Sequence, residues 1–220
     1  MLTKPRAVIF DWDNTLVDTW PIIHIALEQT FYALGKPCWD FETTKKRVKK
    51  SMRDSFPEIF GDDWQTAGEM YQRHYRQHHL DKLTPLSGAL ATLDVIQQQK
   101  LPMFVVSNKK GANLRQEIAY LGWNDYFLGI TGSDDALKDK PHPEPVLHAL
   151  SPHGFTPARD VWFIGDSDID LECAKNTDCT AILYGDFAAT QPEFSSTHYA
   201  GFPFAAYAET HEELVRLFTL

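Results

Sequence analysis

Four short apolar runs, each followed by polar residues, restrict this chain to few architectures. Ala7–Phe10 (AVIF), Met103–Val106 (MFVV), Val161–Ile164 (VWFI) and Thr180–Leu183 (TAIL) are too brief for helices and partly β-branched. An apolar run without polar alternation is the mark of a strand buried on both faces, the condition of strands in a parallel sheet. Stretches of helical character separate them, among them Ala112–Leu121 and Pro143–Leu150. Strands alternating with helices predict an α/β fold: a parallel sheet with right-handed crossovers.

Residues 17–85 break that rhythm. Thr19-Trp20-Pro21 reads as a helix start and Gly35 as its stop, while Thr43–Arg53 and Trp64–Leu80 lack strand-like alternation. The expectation is a core formed by residues 1–16 and 86–220, interrupted by an all-helical cap over 17–85 that serves as a lid over the strand ends. Pro85 and Gly88 mark the return to the core. Near the C-terminus, Phe202–Tyr207 reads as a last edge strand, and Thr210 as the cap of a terminal helix whose Leu214, Leu217 and Phe218 share a face.

Composition narrows the classes of function. With 220 residues, 43% of them hydrophobic, the chain can bury a substantial core, and its formal charge of -9 disfavours broad binding to nucleic acid or anionic lipid. No run approaches the roughly 18 apolar residues of a membrane span, and the apolar stretch in MLTKPRAVIF is too short for a signal peptide. Cys38, Cys173 and Cys179 form no C-x-x-C pattern and read as reduced thiols. A cytoplasmic protein without a membrane partner is expected; oligomeric state is left open.

The polar residues after the strands carry the chemistry. Ligands of an open parallel sheet bind beyond the carboxyl ends of its strands, so Asp11-Trp12-Asp13-Asn14-Thr15, Ser107-Asn108-Lys109 and Gly165-Asp166-Ser167-Asp168-Ile169-Asp170 should face one pocket. Burying an unpaired carboxylate costs roughly several kcal/mol, so this many acids need a compensating cation, a proton or a chemical purpose. Asp11 as a nucleophile toward phosphorus supplies one, since a covalent aspartyl-phosphate divides one hard displacement into two easier ones. Magnesium takes oxygen ligands and needs only one or two carboxylates plus phosphate, which Asp11 and Asp166 provide. Asp13 is placed to protonate the leaving oxygen and then to take a proton from water. Ser107 and Asn108 offer donors to the phosphoryl oxygens, and Lys140, just ahead of the Pro141-His142-Pro143 turn, offers a countercharge, with Lys138 second in line.

Competing readings of the same residues are weaker. The alternating acids at 166, 168 and 170 resemble a calcium loop, but Leu171 stands where glycine is required and Thr177 where glutamate is. Asp168 fits an acid in a first helical turn better than a ligand. His74 and His78 are spaced to grip a metal from one helix, yet Arg73 and Arg76 oppose a cation there. The basic run from Lys45 to Arg53 departs from the overall acidity; on a continuous helix, Lys46, Lys50 and Arg53 would share a face, and Lys50 or Arg53 are candidates for contacting an anionic group of the substrate.

The four clusters D-W-D-N-T (Asp11–Thr15), V-S-N (Val106–Asn108), K-P-H-P (Lys140–Pro143) and G-D-S-D-I-D (Gly165–Asp170) resemble, in order, the motifs of the haloacid dehalogenase superfamily. The insertion after the first resembles the helical cap of its phosphoglycolate phosphatase-like branch. The resemblance implies a Rossmann-like core, magnesium dependence and hydrolysis of the phosphate monoester of a small metabolite. Carried over, it makes Asp11 nucleophile and metal ligand, and Asp13 general acid and base with its backbone carbonyl on the metal. It makes Asp166 a ligand, and Ser107 and Lys140 phosphoryl-binding groups. Asp170 would stand in the outer shell or reach the metal directly, with Thr15 beside it. Asn14 departs from the glycine of many relatives. The dehalogenases themselves lack an acid at the position of Asp13, so its presence favours phosphoryl transfer. A phosphomutase, a pyrophosphatase or a catalytically idle phosphometabolite-binding protein on the same scaffold are the alternatives.

Overall fold

The computed structural model describes residues 2–48, 51–186 and 193–219. The chain divides into two compact units, Met1–Val17 with Pro85–Leu220, and Asp18–Thr84. It passes between them through two short strands, Val17–Asp18 and Thr84–Pro85, which pair with each other.

In chain order the elements are β1 (Ala7–Phe10), β2 (Val17–Asp18), α1 (Trp20–Ala33), α2 (Phe41–Arg47), α3 (Met52–Phe60), α4 (Trp64–His78), β3 (Thr84–Pro85), α5 (Ala89–Gln98), β4 (Met103–Val106) and α6 (Gly111–Tyr120). They continue with β5 (Phe127–Thr131), α7 (Glu144–Leu150), β6 (Val161–Gly165), α8 (Asp168–Asn176), β7 (Thr180–Tyr184), β8 (His198–Tyr199), β9 (Phe202–Pro203), β10 (Ala206–Ala208) and α9 (His211–Thr219). Among the described residues the main sheet has six strands in the order β10-β7-β6-β1-β4-β5, every pair parallel. β1 and β4 are wholly buried, as strands covered by helices on both faces must be. Ile9, Phe104 and Phe163 from three neighbouring strands meet in one apolar cluster with Val146 and Leu171 from the covering helices. The chain leaves β1 for β4 on one side and later returns to β6 on the other, so the order reverses at β1. Loops on either side of such a reversal diverge and leave a crevice at the strand ends.

The predicted edge strand over Phe202–Tyr207 is divided in the structure: Phe202–Pro203 pairs antiparallel with β8, and Ala206–Ala208 forms the parallel edge beside β7. The strand β5 has no counterpart in the sequence reading. Its pattern is mixed, with Leu128 exposed and Gly129 in the middle, as befits the opposite edge.

The helical unit has its own core, in which Phe31 and Phe56 each pack against Phe60, with ring centroids 5.1 and 5.0 Å apart. The continuous helix expected over Thr43–Arg53 is not formed. Asp40 caps α2 by accepting the Thr43 amide, the helix stops at Arg47, and α3 starts afresh with Ser51 accepting the Asp54 amide. Lys46 and Arg53 therefore lie on different helices rather than on one face; Arg53 is exposed, and Lys50 lies outside the described residues. The basic end of α2, Lys45 to Arg47, complements the negative end of the helix dipole, and the Arg47 guanidinium lies 5.1 Å from the Trp39 ring centroid.

Candidate active site

The turn after β1 separates two acids that lie two residues apart. The Asp11 amide continues the strand by donating to the Ile164 carbonyl, and the amides of Thr15, Leu16 and Val17 then fold back toward the Trp12 carbonyl. Asn14 takes a left-handed conformation (φ 58°) in that turn, one that asparagine tolerates better than most residues and glycine better still. The turn sends Asp11 and Asp13 to different partners. Lys140 Nζ donates to Asp11 Oδ1 at 2.7 Å, whereas Asp13 Oδ1 lies 2.6 Å from Lys109 Nζ.

Lys140 is buried and is also bound to Asp170 Oδ1 at 2.7 Å, while its expected rival Lys138 is exposed. Its loop is fixed from β4: the Asn108 side-chain amide donates to the Lys140 carbonyl at 3.0 Å, and its oxygen accepts the Lys140 amide at 2.8 Å. The Asn108 side chain, expected among the phosphoryl donors, is thus engaged in holding Lys140. Ser107 is buried at the end of β4, where its Oγ accepts the Lys109 amide and its hydroxyl proton remains to be given.

From β6 the chain enters α8 through a capping box in which Ser167 Oγ accepts the Asp170 amide and Asp170 Oδ2 accepts the Ser167 amide. Ser167 Oγ also donates to that oxygen at 2.5 Å. Asp170 presses so closely on the end of β6 that a Cβ at Gly165 would lie 2.3 Å from its Cγ, so only glycine fits there. Asp168 occupies the first turn of α8, where an acid suits the helix dipole. Asp166, half-buried, accepts the Thr15 hydroxyl at 3.2 Å.

Carboxylate oxygens of Asp11, Asp166 and Asp170 all lie within 4.8 Å of one another. Three acids therefore crowd one base, Lys140, and the buried environment disfavours ionising all of them together. Burial pushes Asp11 up to about 7, with Lys140 opposing the shift and Asp170 and Asp13 adding to it. Burial likewise pushes Asp166 well above the usual carboxylate range, and Asp11 and Asp170 push it further. Lys140, despite the burial that opposes its charge, is held above the ordinary lysine range by Asp11 and Asp170. An all-oxygen donor set of three acids against one base, with Asp11 and Asp166 pushed up by burial and by the neighbouring acids, fits a hard divalent cation such as magnesium. Among the described residues His74 and His78 belong to no such cluster; they hydrogen-bond to Gln77 and Gln29.

Lys109, expected in a pocket-facing cluster, has a buried partner that the sequence motifs do not indicate, Glu117. Glu117 Oε2 accepts both the Lys109 ammonium at 2.5 Å and the Trp12 indole N–H at 2.7 Å. One signal was present: Glu117 falls between Leu114 and Ile118 on the buried stripe of α6, an unexpected place for a charge.

The chain is similar to known proteins. The profile of the haloacid dehalogenase-like hydrolases matches residues 8–184. The chain belongs to that family. Among curated relatives, a protein named phosphoglycolate phosphatase from Thiobacillus denitrificans is 32% identical over 79% of this chain and 80% of its own length. One of the same name from Pectobacterium atrosepticum is 28% identical over 96% of this chain and 97% of its own. A haloacid dehalogenase-like family hydrolase from Streptococcus pneumoniae shares the fold with a TM-score of 0.79 at 22% identity, covering 96% of this chain and 97% of that one. In this hydrolase the family match begins at β1 and ends with β7, so it takes in all four polar clusters. No helix among the described residues is long and apolar enough to cross a membrane.

Proposed function

We propose that this hydrolase is a magnesium-dependent phosphatase that cleaves the phosphate monoester of a small metabolite through an aspartyl-phosphate on Asp11. The observation that carries the reading is the convergence of three carboxylates, Asp11, Asp166 and Asp170, with the Lys140 ammonium bridging Asp11 and Asp170. Carboxylates of Asp11 and Asp166 and the backbone carbonyl of Asp13 would hold magnesium, which neutralises the repulsion between an attacking carboxylate and a phosphoryl dianion.

The chain's own residues do the rest. An oxygen of Asp11 bonds to phosphorus as the bond to the leaving oxygen breaks, and Asp13 gives that oxygen a proton. Water then attacks the phosphorus; Asp13 takes its proton, and the bond from phosphorus to Asp11 breaks to release phosphate and the free carboxylate. Ser107 donates its hydroxyl to a phosphoryl oxygen, and the Lys140 ammonium offsets negative charge on the transferred group. Asp170 and Thr15 keep Lys140 and Asp166 in place. The relatives named phosphoglycolate phosphatase make a phosphorylated small carboxylic acid the substrate class to try first.

The test is phosphate release from para-nitrophenyl phosphate and from 2-phosphoglycolate, with magnesium and with a chelator. The expected outcome is release that requires the cation and falls to background in Asp11→Asn. Release that persists in that variant, or without any divalent cation, removes the reading.

A further inference from the structure

Behind Asp13 lies a buried chain of polar groups to which the reaction above assigns no task. Lys109 Nζ bridges Asp13 Oδ1 and Glu117 Oε2, and the Trp12 indole N–H fixes that same glutamate oxygen. Trp12 and Glu117 are fully buried and the Lys109 side chain is 5% exposed. Lys109 is also anchored at its backbone, where its amide donates to Ser107 Oγ at 3.2 Å. A buried ion pair is commonly no more stabilising than apolar side chains of the same volume, so stability alone is a weak reason for this one. An ion pair differs from apolar packing in that it fixes direction. Lys109 engages one oxygen of Asp13 and so sets the plane in which the other is presented.

We infer that Lys109 and Glu117 are positioning residues that aim the Asp13 carboxyl at the leaving oxygen of the substrate. Trp12, between the two acids in sequence, ties Glu117 to the same turn that carries Asp13, so the turn and the glutamate on α6 are set together. The inference rests on the reading of Asp13 as general acid, and its test separates the two.

An acid that protonates the leaving oxygen matters most when that oxygen is basic. The ratio of kcat/KM for glycerol 1-phosphate, an alkyl phosphate, to that for para-nitrophenyl phosphate therefore reads the aim of Asp13, because kcat/KM covers transfer to Asp11. Lys109→Met is expected to lower this ratio by roughly tenfold to a hundredfold, the scale of loss for a slightly misplaced catalytic group. The double variant Lys109→Met/Glu117→Gln, which removes the charge stranded by the single change, is expected to regain thermal stability but keep the lowered ratio. In an Asp13→Asn background, Lys109→Met should lower the ratio no further. Equal losses for both substrates, or recovery of the ratio in the double variant, would assign the network to structure alone and overturn the inference. Should Lys109→Met fail to fold, the double variant reads the same ratio. An active parent with inactive Asp11→Asn and an unchanged ratio sinks only the positioning role. A parent without cation-dependent phosphate release sinks both proposals.

Discussion

Two buried lysines in this molecule each stand between two carboxylates, and they differ in what surrounds them. Lys140 lies between Asp11 and Asp170 with Asp166 close by, while Lys109 lies between Asp13 and Glu117, with Glu117 also held by the Trp12 indole. The first group has three acids to one base, a ratio that suits a dication. Among the described residues, the second sets Asp13 at 2.6 Å and Glu117 at 2.5 Å against one base. Burial disfavours charge at both lysines, yet the adjacent carboxylates hold both above the ordinary lysine range. Similar pairings thus differ in composition: the count of acids, more than the presence of a salt bridge, separates the group proposed to take a cation and phosphate from the one proposed to fix a side chain.

Removing each base in turn should affect the two groups differently. Lys140→Met is expected to lower kcat by about 10²- to 10³-fold for every substrate, as loss of a donor to developing charge does. Adding Asp170→Asn should not restore it. Lys109→Met is expected to cost about 3–5 kcal/mol of stability by stranding a buried charge, and Glu117→Gln in the same chain should return most of that. Urea unfolding with steady-state kinetics on the same preparations reads both; full rescue of Lys140→Met by Asp170→Asn would make the two sites alike.

His211 tests what supports the Lys140 side. Its Nε2 lies 3.0 Å from the Thr15 carbonyl and its Nδ1 3.0 Å from the Thr92 hydroxyl, and Thr15 in turn holds Asp166. Burial pushes this histidine down to about 4, with the Thr15 bond opposing. The folded state therefore disfavours the proton that an unfolded histidine takes up near pH 6.5. Its contribution is intact above about pH 6.5 and fades as pH falls toward 4, by about 3 kcal/mol in all. The difference between parent and His211→Gln, followed by urea unfolding from pH 7 to 4, isolates that term; parallel curves would refute it.

The smallest effect concerns the cation itself. Magnesium at about a hundred times its Kd should stabilise the folded chain by about 2.7 kcal/mol, seen as a rise in Tm. Asp166→Asn should lose that rise and Glu117→Gln should keep it. Loss in both variants would erase the distinction between the two groups of charges.

Much of this was readable in the sequence, for a physical reason. Parallel strands covered on both faces are unbroken apolar runs, so β1, β4, β6 and β7 announce themselves, and the acids after β1 and β6 stand out because ligands bind beyond the carboxyl ends of such strands. Edge strands carry no such mark: Phe127–Thr131 mixes an exposed leucine with glycine and passes for a loop. The break between α2 and α3 has a signal in the sequence, the Ser51-x-x-Asp54 spacing of a helix cap, which the basic run around it obscures and the hydrogen bond from the Asp54 amide to Ser51 makes plain. Lys109 stood in plain view after Ser107 and Asn108, but its partner Glu117 became meaningful only when α6 brought it beneath Trp12. A lysine's role depends on what lies across from it, and that is long-range information.

The paired strands at Val17–Asp18 and Thr84–Pro85 carry one more consequence. Because the departing and returning segments are joined to each other, the entropy of closing the loop is met at its neck, and it rises only slowly with the length of what is inserted. Insertions or deletions within Asp18–Thr84 should therefore cost the other unit little, because the register of its strands does not depend on how long the enclosed segment is.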